Sequence, residues 1–303
     1  MKNKIITVTI GIPAYNEEKN IGNLLFSILN QTQSVYSVDK IIVASDGSTD
    51  ETVRIVKNIR NPLVKVIENS ERKGKPHRLN QLIKNTNSDV LVILDADILL
   101  QDQLFLEKLI KPIIKYGAEL TSAAIEELEP KTFIQKILKA SMGFKKNIFE
   151  NYNRGNNLYT CHGRARAFSR KLYDSIDFGN IVADDAFSYL FCKIKNYKYY
   201  FAKDAKIFYK LPETFADHEK QSVRFFKAYR DLSYRFSSKI IKSEYYISKN
   251  IVIHSLLQTV YKHPIILLYF PLASYIKIKS LFVNSQTPKW NISKSSKLIE
   301  PNL

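Results

Sequence analysis

The chain has 303 residues, with 46 Lys and Arg against 29 Asp and Glu, a formal net charge of +17. Hydrophobic content of 45% and charged content of 25% are ordinary for a soluble globular protein, and 303 residues supply ample material for a core. The two cysteines, Cys161 and Cys192, are too few and too far apart for a disulfide framework or a metal knuckle, which fits a reducing compartment. The excess of positive charge favours polyanionic partners: nucleic acid, anionic lipid headgroups or phosphorylated substrates. Part of it is general composition, because Lys, Ile and Asn are frequent throughout.

The first apolar stretch, residues 5–12, is short, interrupted by Thr, and runs straight into Asn16, Glu17 and Glu18, so it reads as a strand rather than a signal peptide. Ile21, Leu24, Leu25, Ile28 and Leu29 then recur at helical spacing. Strand patterns at 41–44, 63–67, 90–94 and 119–125 alternate with helical patterns at 49–60, 76–85 and 103–116. That alternation predicts an α/β fold with a mostly parallel sheet flanked by helices. Residues 131–152 read as an amphipathic helix with Phe133, Ile134, Ile137 and Leu138 on its inner face. Residues 158–168 and 198–208 read as further strands, 184–195 as a helix between them, and 213–236 as a long helix.

The stretch 237–249 turns polar and Lys-rich and is the one plausible boundary, giving a main domain at 1–238 and a C-terminal extension at 239–303. The cleanest apolar part of the extension, residues 264–276, holds two prolines and falls short of the roughly 18–20 residues of a spanning helix. Flanked by Lys262, Lys277 and Lys279, it suits an interfacial segment on an anionic membrane surface. A buried helical pair packed on the sheet is the plainer alternative.

Chemistry concentrates at the predicted strand ends. Five apolar residues, 90–94, lead into Asp95 and Asp97. Side chains two apart on a strand point the same way, so both carboxylates can converge at the sheet edge where α/β folds bind ligands. Paired hard oxygen donors there suit Mg²⁺ or Mn²⁺ holding a diphosphate. The same edge collects the loops Pro13-Ala14-Tyr15-Asn16-Glu17, Asp46-Gly47-Ser48-Thr49-Asp50 and Glu71-Arg72-Lys73-Gly74-Lys75. Asp46 can accept N–H groups, Tyr15 can pack on a base or ribose, and Lys75 can pair with phosphate. In isolation the Asp46 loop is also a plain turn followed by a helix cap.

Those loops, with Gly74-Lys75-Pro76-His77-Arg78-Leu79-Asn80 and Leu94-Asp95-Ala96-Asp97, resemble in order the nucleotide-sugar half of family 2 glycosyltransferases with the Rossmann-like GT-A fold, over about residues 5–236. The resemblance implies a donor site of Pro13, Tyr15, Glu17, Asp46, Lys75 and Asp95. In it Asp46 would meet the nucleobase, Asp95 the ribose or metal, and Asp97 the divalent cation. Tyr159 to Arg170 is similar to the family's acceptor-side strand, which marks Gly163. Ala183-Asp184-Asp185 sits where the family places its acidic pair, implying Asp185 as the base and Asp184 as the alternate. A carboxylate is needed there to take the acceptor hydroxyl proton; without the upstream motifs the pair reads as a helix N-terminus complementing its dipole. Gln221-Ser222-Val223-Arg224-Phe225 resembles the Gln-x-x-Arg-Trp motif of processive members, with Phe in place of Trp, and implies contact with diphosphate or acceptor. His162 and His218 stand alone and read as non-catalytic.

What the resemblance implies is an inverting, metal-dependent transfer from a nucleotide-diphosphate sugar, with UDP-sugars favoured, to a lipid-linked or surface-glycan acceptor. Processive synthases of this kind add several spanning helices; this chain shows none, which points to transfer of one or a few sugars, on the cytoplasmic face of the membrane. A sugar-phosphate nucleotidyltransferase would carry a Gly-rich, Arg-containing loop after the first strand, where this chain has Pro13 to Glu17. A basic binding module for membranes or RNA would explain the charge but not the carboxylates at strand ends, and no RNA-reading motif is present, so nucleic acid is not an expected partner.

Overall fold

The computed structural model describes residues 5–282. The first half alternates β1 (Ile6–Ala14), α1 (Ile21–Leu29), β2 (Tyr36–Ser45), α2 (Thr52–Asn58), β3 (Val64–Ile67), α3 (Lys75–Lys84), β4 (Val90–Leu94), α4 (Phe105–Tyr116) and β5 (Leu120–Glu127). It continues with α5 (Phe133–Asn151), β6 (Ala165–Ser169), α6 (Arg170–Tyr173), α7 (Asp184–Ile194), β7 (Tyr199–Tyr209), α8 (Phe215–Arg235), α9 (Ser238–Tyr245), α10 (Lys249–Lys262) and α11 (Tyr269–Phe282). Seven strands form one sheet in the order β3-β2-β1-β4-β6-β5-β7. All pairings are parallel except those of β6, which runs antiparallel to both β4 and β5. The α/β expectation holds: this is a mostly parallel sheet with helices on both faces.

The unbroken apolar run of β4 is explained by its position. Val90, Val92 and Leu94 pack into the core shared with Leu24 and Leu25 of α1 and Leu106 and Leu109 of α4. Leu91 and Ile93 pack on the opposite face with Leu79 and Leu82 of α3 and Phe168 of β6. A strand buried on both faces has no position for a polar side chain, so carboxylates enter only where it ends.

Two local expectations need correction. Residues 158–168 do not form one strand: Leu158–Thr160 is a 3-10 turn opened by Asn157, whose side chain accepts from Tyr159 N, and only Ala165–Ser169 joins the sheet. The cap diverts the backbone's hydrogen bonds into a turn before the strand can begin. Phe133 is exposed, although Ile137 and Leu138 are buried, because it is the first residue of α5 and precedes the turn that meets the core.

The polar stretch after α8 is helical. On α9, Ile241 is buried in the second core with Phe236, and Ile240 and Tyr245 pack beside it. Further on, α10 lies against α5, with Asn147 Nδ2 donating to Gln258 Oε1 at 2.9 Å, and α11 lies against α8, with Lys279 Nζ 2.5 Å from Glu219 Oε1. The helical stretch Pro264–Phe282, which includes α11, is by length and composition apolar enough to cross a membrane, and most of it is exposed. This stretch is longer than the 13-residue core read from sequence, since Lys277 and Lys279 are tolerated within it. Exposed Ile253, Leu257 and Tyr261 on α10, with Leu267, Leu281 and Phe282, leave an apolar outer face.

Candidate active site

The site begins where β4 ends. Leu94 is its last strand residue, and the Asp95 amide donates to the Arg164 carbonyl at 2.8 Å, so the exit from β4 is tied to the entry of β6. Because β6 is antiparallel, its beginning lies at the edge where β1, β2 and β4 end. Gly74, at φ 97°, lets the chain turn into α3 with Lys75 as its first residue. Lys75 Nζ lies 2.5 Å from Asp95 Oδ1, 3.0 Å from the Gly163 carbonyl and 3.5 Å from Asp184 Oδ2. Asp97 sits in the turn beyond, half-buried, with Arg164 Nη1 3.3 Å from its Oδ1. The Arg164 guanidinium also lies over the Tyr209 ring, 4.1 Å from its centroid. Burial pushes the Asp95 carboxyl above its usual range; Lys75 pulls it down and the neighbouring Asp97 pushes it further up.

Asp46 takes a different place from the turn residue it resembles in sequence. It is buried, and its carboxylate accepts from Lys73 N at 2.9 Å, Gly74 N at 2.9 Å and Arg78 Nε at 2.8 Å. It therefore clamps the loop before α3 onto the end of β2. The turn into α2 is closed instead by Asp50, whose Oδ1 accepts from Thr52 N at 3.0 Å. Gly47, at φ 73°, leaves room for that loop: a Cβ there would stand 3.0 Å from Arg72 N. The Arg72 guanidinium covers the Tyr15 ring at 3.9 Å. Pro13 pairs in register with Ala44 inside the sheet. Glu17 is buried; its Oε2 accepts from Asn20 Nδ2 at 2.8 Å and its amide donates to Thr52 Oγ1 at 2.7 Å, fixing the entry to α1.

The acidic pair divides in two. Asp184 is buried at the start of α7, ion-paired with the fully buried Arg166 of β6, whose Nη1 also donates to the Asp184 carbonyl at 2.9 Å. Asp185 is half-buried, and its Oδ1 accepts from Ala186 N at 2.8 Å. A Cβ on Gly163 would lie 3.5 Å from both Asp185 Cβ and Lys75 Nζ, so that glycine keeps open the gap between them. On α8, Gln221 is half-buried and Phe225 is 63% exposed, while the side chain of Arg224 lies outside the described residues.

The structure thus brings together Lys75, Asp95, Asp97, Gly163, Asp184 and Asp185, with Asp46 one loop away. Arg164, Arg166 and Arg78 carry as much of this geometry, and sequence reasoning assigned them nothing. For Arg166 a signal existed: an arginine between Ala165 and Ala167 in an apolar strand marks a buried charge in need of a carboxylate. Burial pushes the imidazoles of His162 and His218 down to about 3 and about 4, which favours their neutral forms. Among the described residues no group of three or more His, Cys, Asp or Glu gathers to hold a metal by itself. Two hard carboxylates at the mouth of the site, Asp95 and Asp97, fit a cation whose other ligands come from a bound ligand and water.

A mostly parallel sheet with helices on both faces, and with carboxylates and cations gathered at one edge, is the architecture of the GT-A fold. The model of the family "Glycosyl transferase family 2" matches residues 9–177, more than half of the chain, and the protein belongs to that family. It is similar to 4,4'-diaponeurosporenoate glycosyltransferase of Staphylococcus aureus strain USA300, 40% identical over 93 residues, 30% of this chain and 24% of that protein. The matched part therefore spans about a quarter of the relative. The fold is similar to that of a mannosyltransferase from Pyrobaculum calidifontis in complex with GDP-Man and Mn²⁺, at TM-score 0.61 and 18% identity over 93% of this chain and 77% of that one. Glucosyl-3-phosphoglycerate synthase from Mycobacterium tuberculosis, with Mn²⁺, UDP and glucosyl-3-phosphoglycerate, superposes at TM-score 0.52 and 20% identity over 76% of this chain and 80% of that one.

Removing one member of a buried ion pair strands the other charge, at a cost of about 3–5 kcal/mol. Arg166→Met should lower the urea unfolding free energy by about 3 kcal/mol, since Lys75 still faces Asp184. An unchanged midpoint and slope would show that Asp184 is stabilised without Arg166.

Proposed function

We propose that this protein is an inverting, divalent-cation-dependent glycosyltransferase that moves one or a few sugars from a nucleotide-diphosphate sugar, most readily a UDP-sugar, to a lipid-linked or surface-glycan acceptor. The observation that carries the reading is the convergence of Asp95, Asp97, Lys75 and Asp185 on one sheet edge around Gly163. Family membership and the nucleotide and Mn²⁺ complexes of the structural relatives support it.

In this reading Tyr15, Asp46 and the loop that Asp46 clamps receive the nucleoside, with Pro13 and Glu17 holding the two flanking backbones. Asp97 would be the direct ligand of Mg²⁺ or Mn²⁺, and Asp95 would be shared between metal and ribose. Such a cation would supply positive charge to the diphosphate. Lys75 and Arg164, held by Asp95 and Asp97, lie at hand to stabilise the same charge. Gln221, Arg224 and Phe225 are assigned to diphosphate or acceptor. Asp185 takes the proton of the attacking hydroxyl; Asp184, held between Arg166 and Lys75, keeps the first turn of α7 in place and is the poorer base. The exposed apolar face of α10 and α11 sets the protein on the cytoplasmic side of an anionic membrane, where a lipid-linked acceptor would be presented.

Three measurements test these assignments. Titration calorimetry with UDP should show binding that needs Mn²⁺ and is lost in Asp97→Ala; full binding without a cation removes the metal from the reading. Asp185→Asn should keep UDP affinity and lower transfer about a hundredfold or more, whereas transfer at the parent rate moves the base elsewhere. In vesicle flotation, the full chain should rise with phosphatidylglycerol liposomes, and Leu257→Glu with Leu281→Glu should leave it at the bottom of the gradient. Equal partitioning of the two proteins would take the C-terminal helices out of the argument.

A further inference from the structure

The last strand of the sheet carries an irregularity that the transfer reading does not use. Along β7, Ala202 pairs with Ala123 of β5, but the next residue of β5, Ala124, pairs with Lys206, so residues 203–205 have no partner there. A bulge of this kind bends an edge strand, which β7 is, and re-aims the side chains on it. The outer side of β7 is met by the chain that leaves the Asp97 turn. There the Leu99 amide donates to the Phe208 carbonyl at 2.8 Å, and the Phe208 amide donates to the Leu99 carbonyl at 3.0 Å. Between the bulged strand, this segment and α4 opens a cavity of about 560 Å³.

Three kinds of group line it. Phe208 turns its half-buried ring to the cavity, while its neighbours Ile207 and Tyr209 point into the core, as alternation along a strand requires. Hydrogen-bond acceptors come from Asp102, beyond the Asp97 turn, and from Asp204, the middle residue of the bulge. Donors come from Lys108 and Lys111, one turn apart on α4, and from Lys206; Gln101 offers both. The charges balance. Lys108 Nζ lies 2.5 Å from Asp102 Oδ2, and Lys206 Nζ lies 3.7 Å from Glu126 Oε1. Among the described residues neither Lys111 nor Asp204 has an ion-pair partner, which leaves the cavity one uncommitted charge of each sign.

That lining discriminates by chemistry. A small anion there meets Asp204 and Asp102 as well as the ammonium groups, and a small cation meets Lys111 and Lys108, so neither finds a net opposite charge. A neutral ligand rich in both donors and acceptors can use every polar group. Hydroxyls do so, since each donates one hydrogen bond and accepts two. The ring adds a further requirement, because its negative face takes polarised C–H groups. The volume falls within the roughly 300–1,000 Å³ of sites that enclose a whole small ligand. A pyranose meets all of these conditions: an apolar C–H face for the ring and a rim of hydroxyls for the polar groups.

We infer that the cavity between β7, α4 and the segment after Asp97 is a binding site for a short neutral oligosaccharide, with a pyranose face on Phe208 and hydroxyls shared between Asp204 and Lys111. It has no side chain in common with the edge where Lys75, Asp95, Asp97 and Asp185 converge, so it does not rest on the proposed transfer reaction. It holds a sugar and does no chemistry on it.

The test is saturation-transfer NMR on the full chain, with maltotriose, cellotriose, mannotriose and triacetylchitotriose as probes at millimolar concentration. Irradiation of the aromatic protons should saturate ring protons of at least one trisaccharide. Asp204→Ala and Lys111→Ala should each weaken that binding about tenfold, and Phe208→Leu should reduce the saturation. Inorganic phosphate should leave the signal unchanged. Saturation of none of the four trisaccharides overturns the proposal. So does binding that is unaltered in both Asp204→Ala and Lys111→Ala, which puts the sugar elsewhere, or displacement by phosphate, which makes the cavity an anion site. Asp204 and Lys111 are exposed, so their variants report even if Phe208→Leu fails to fold.

Discussion

One ammonium group holds the site together. Lys75 Nζ reaches the Asp95 carboxylate, the Gly163 carbonyl and the Asp184 carboxylate, and so joins the start of α3, the end of β4, the loop before β6 and the start of α7. A buried lysine is tolerated only when its charge is matched, and here carboxylates flank it on two sides. The second of these is matched in turn by Arg166. The result is an alternating chain of charges, Asp95–Lys75–Asp184–Arg166, running from the mouth of the site into the sheet. Each link would be costly alone; together they fix four elements that lie far apart in sequence.

Much of the frame was legible from residue patterns. The run 90–94 reads as a strand covered on both faces, and the punctuation at Asp46, Gly74 and Asp95 marked where strands give way to loops. What was not legible depends on pairings across long separations. Asp46 reads locally as a turn, yet its carboxylate clamps backbone amides at Lys73 and Gly74. Asp184 and Asp185 are indistinguishable as neighbours in sequence; only the position of Arg166 makes one a structural anion and leaves the other facing the cleft. The 3-10 turn at 158–160 was missed because its apolar and aromatic residues have strand propensity, while one capping Asn157 overrides it. Site roles came from the family resemblance, and geometry supplies the partners that give those roles a physical basis.

Family membership covers the donor half more firmly than the rest. The family match ends at residue 177, before α7 and α8. The two halves also differ in kind. The edge at the end of β4 is built from charged groups in fixed pairs. Beyond residue 177 the chain carries the Tyr229–Tyr245 ring contact and the apolar outer face of α10 and α11.

The antiparallel strand β6 has a consequence for how the molecule assembles. Within the sheet the blocks β3-β2-β1-β4 and β5-β7 are joined through it, so until residues 165–169 dock, β4 and β5 each have an unpaired edge. Such edges are templates for pairing with other chains, and a contact spanning about seventy residues of sequence is slow to form. The same docking step brings the Gly163 carbonyl to Lys75 and brings Arg164 and Arg166 to their carboxylates. The strand acts as a keystone: the pairing that joins the two blocks of the sheet also sets the charged partners of the site in place, so a change that weakens one weakens the other.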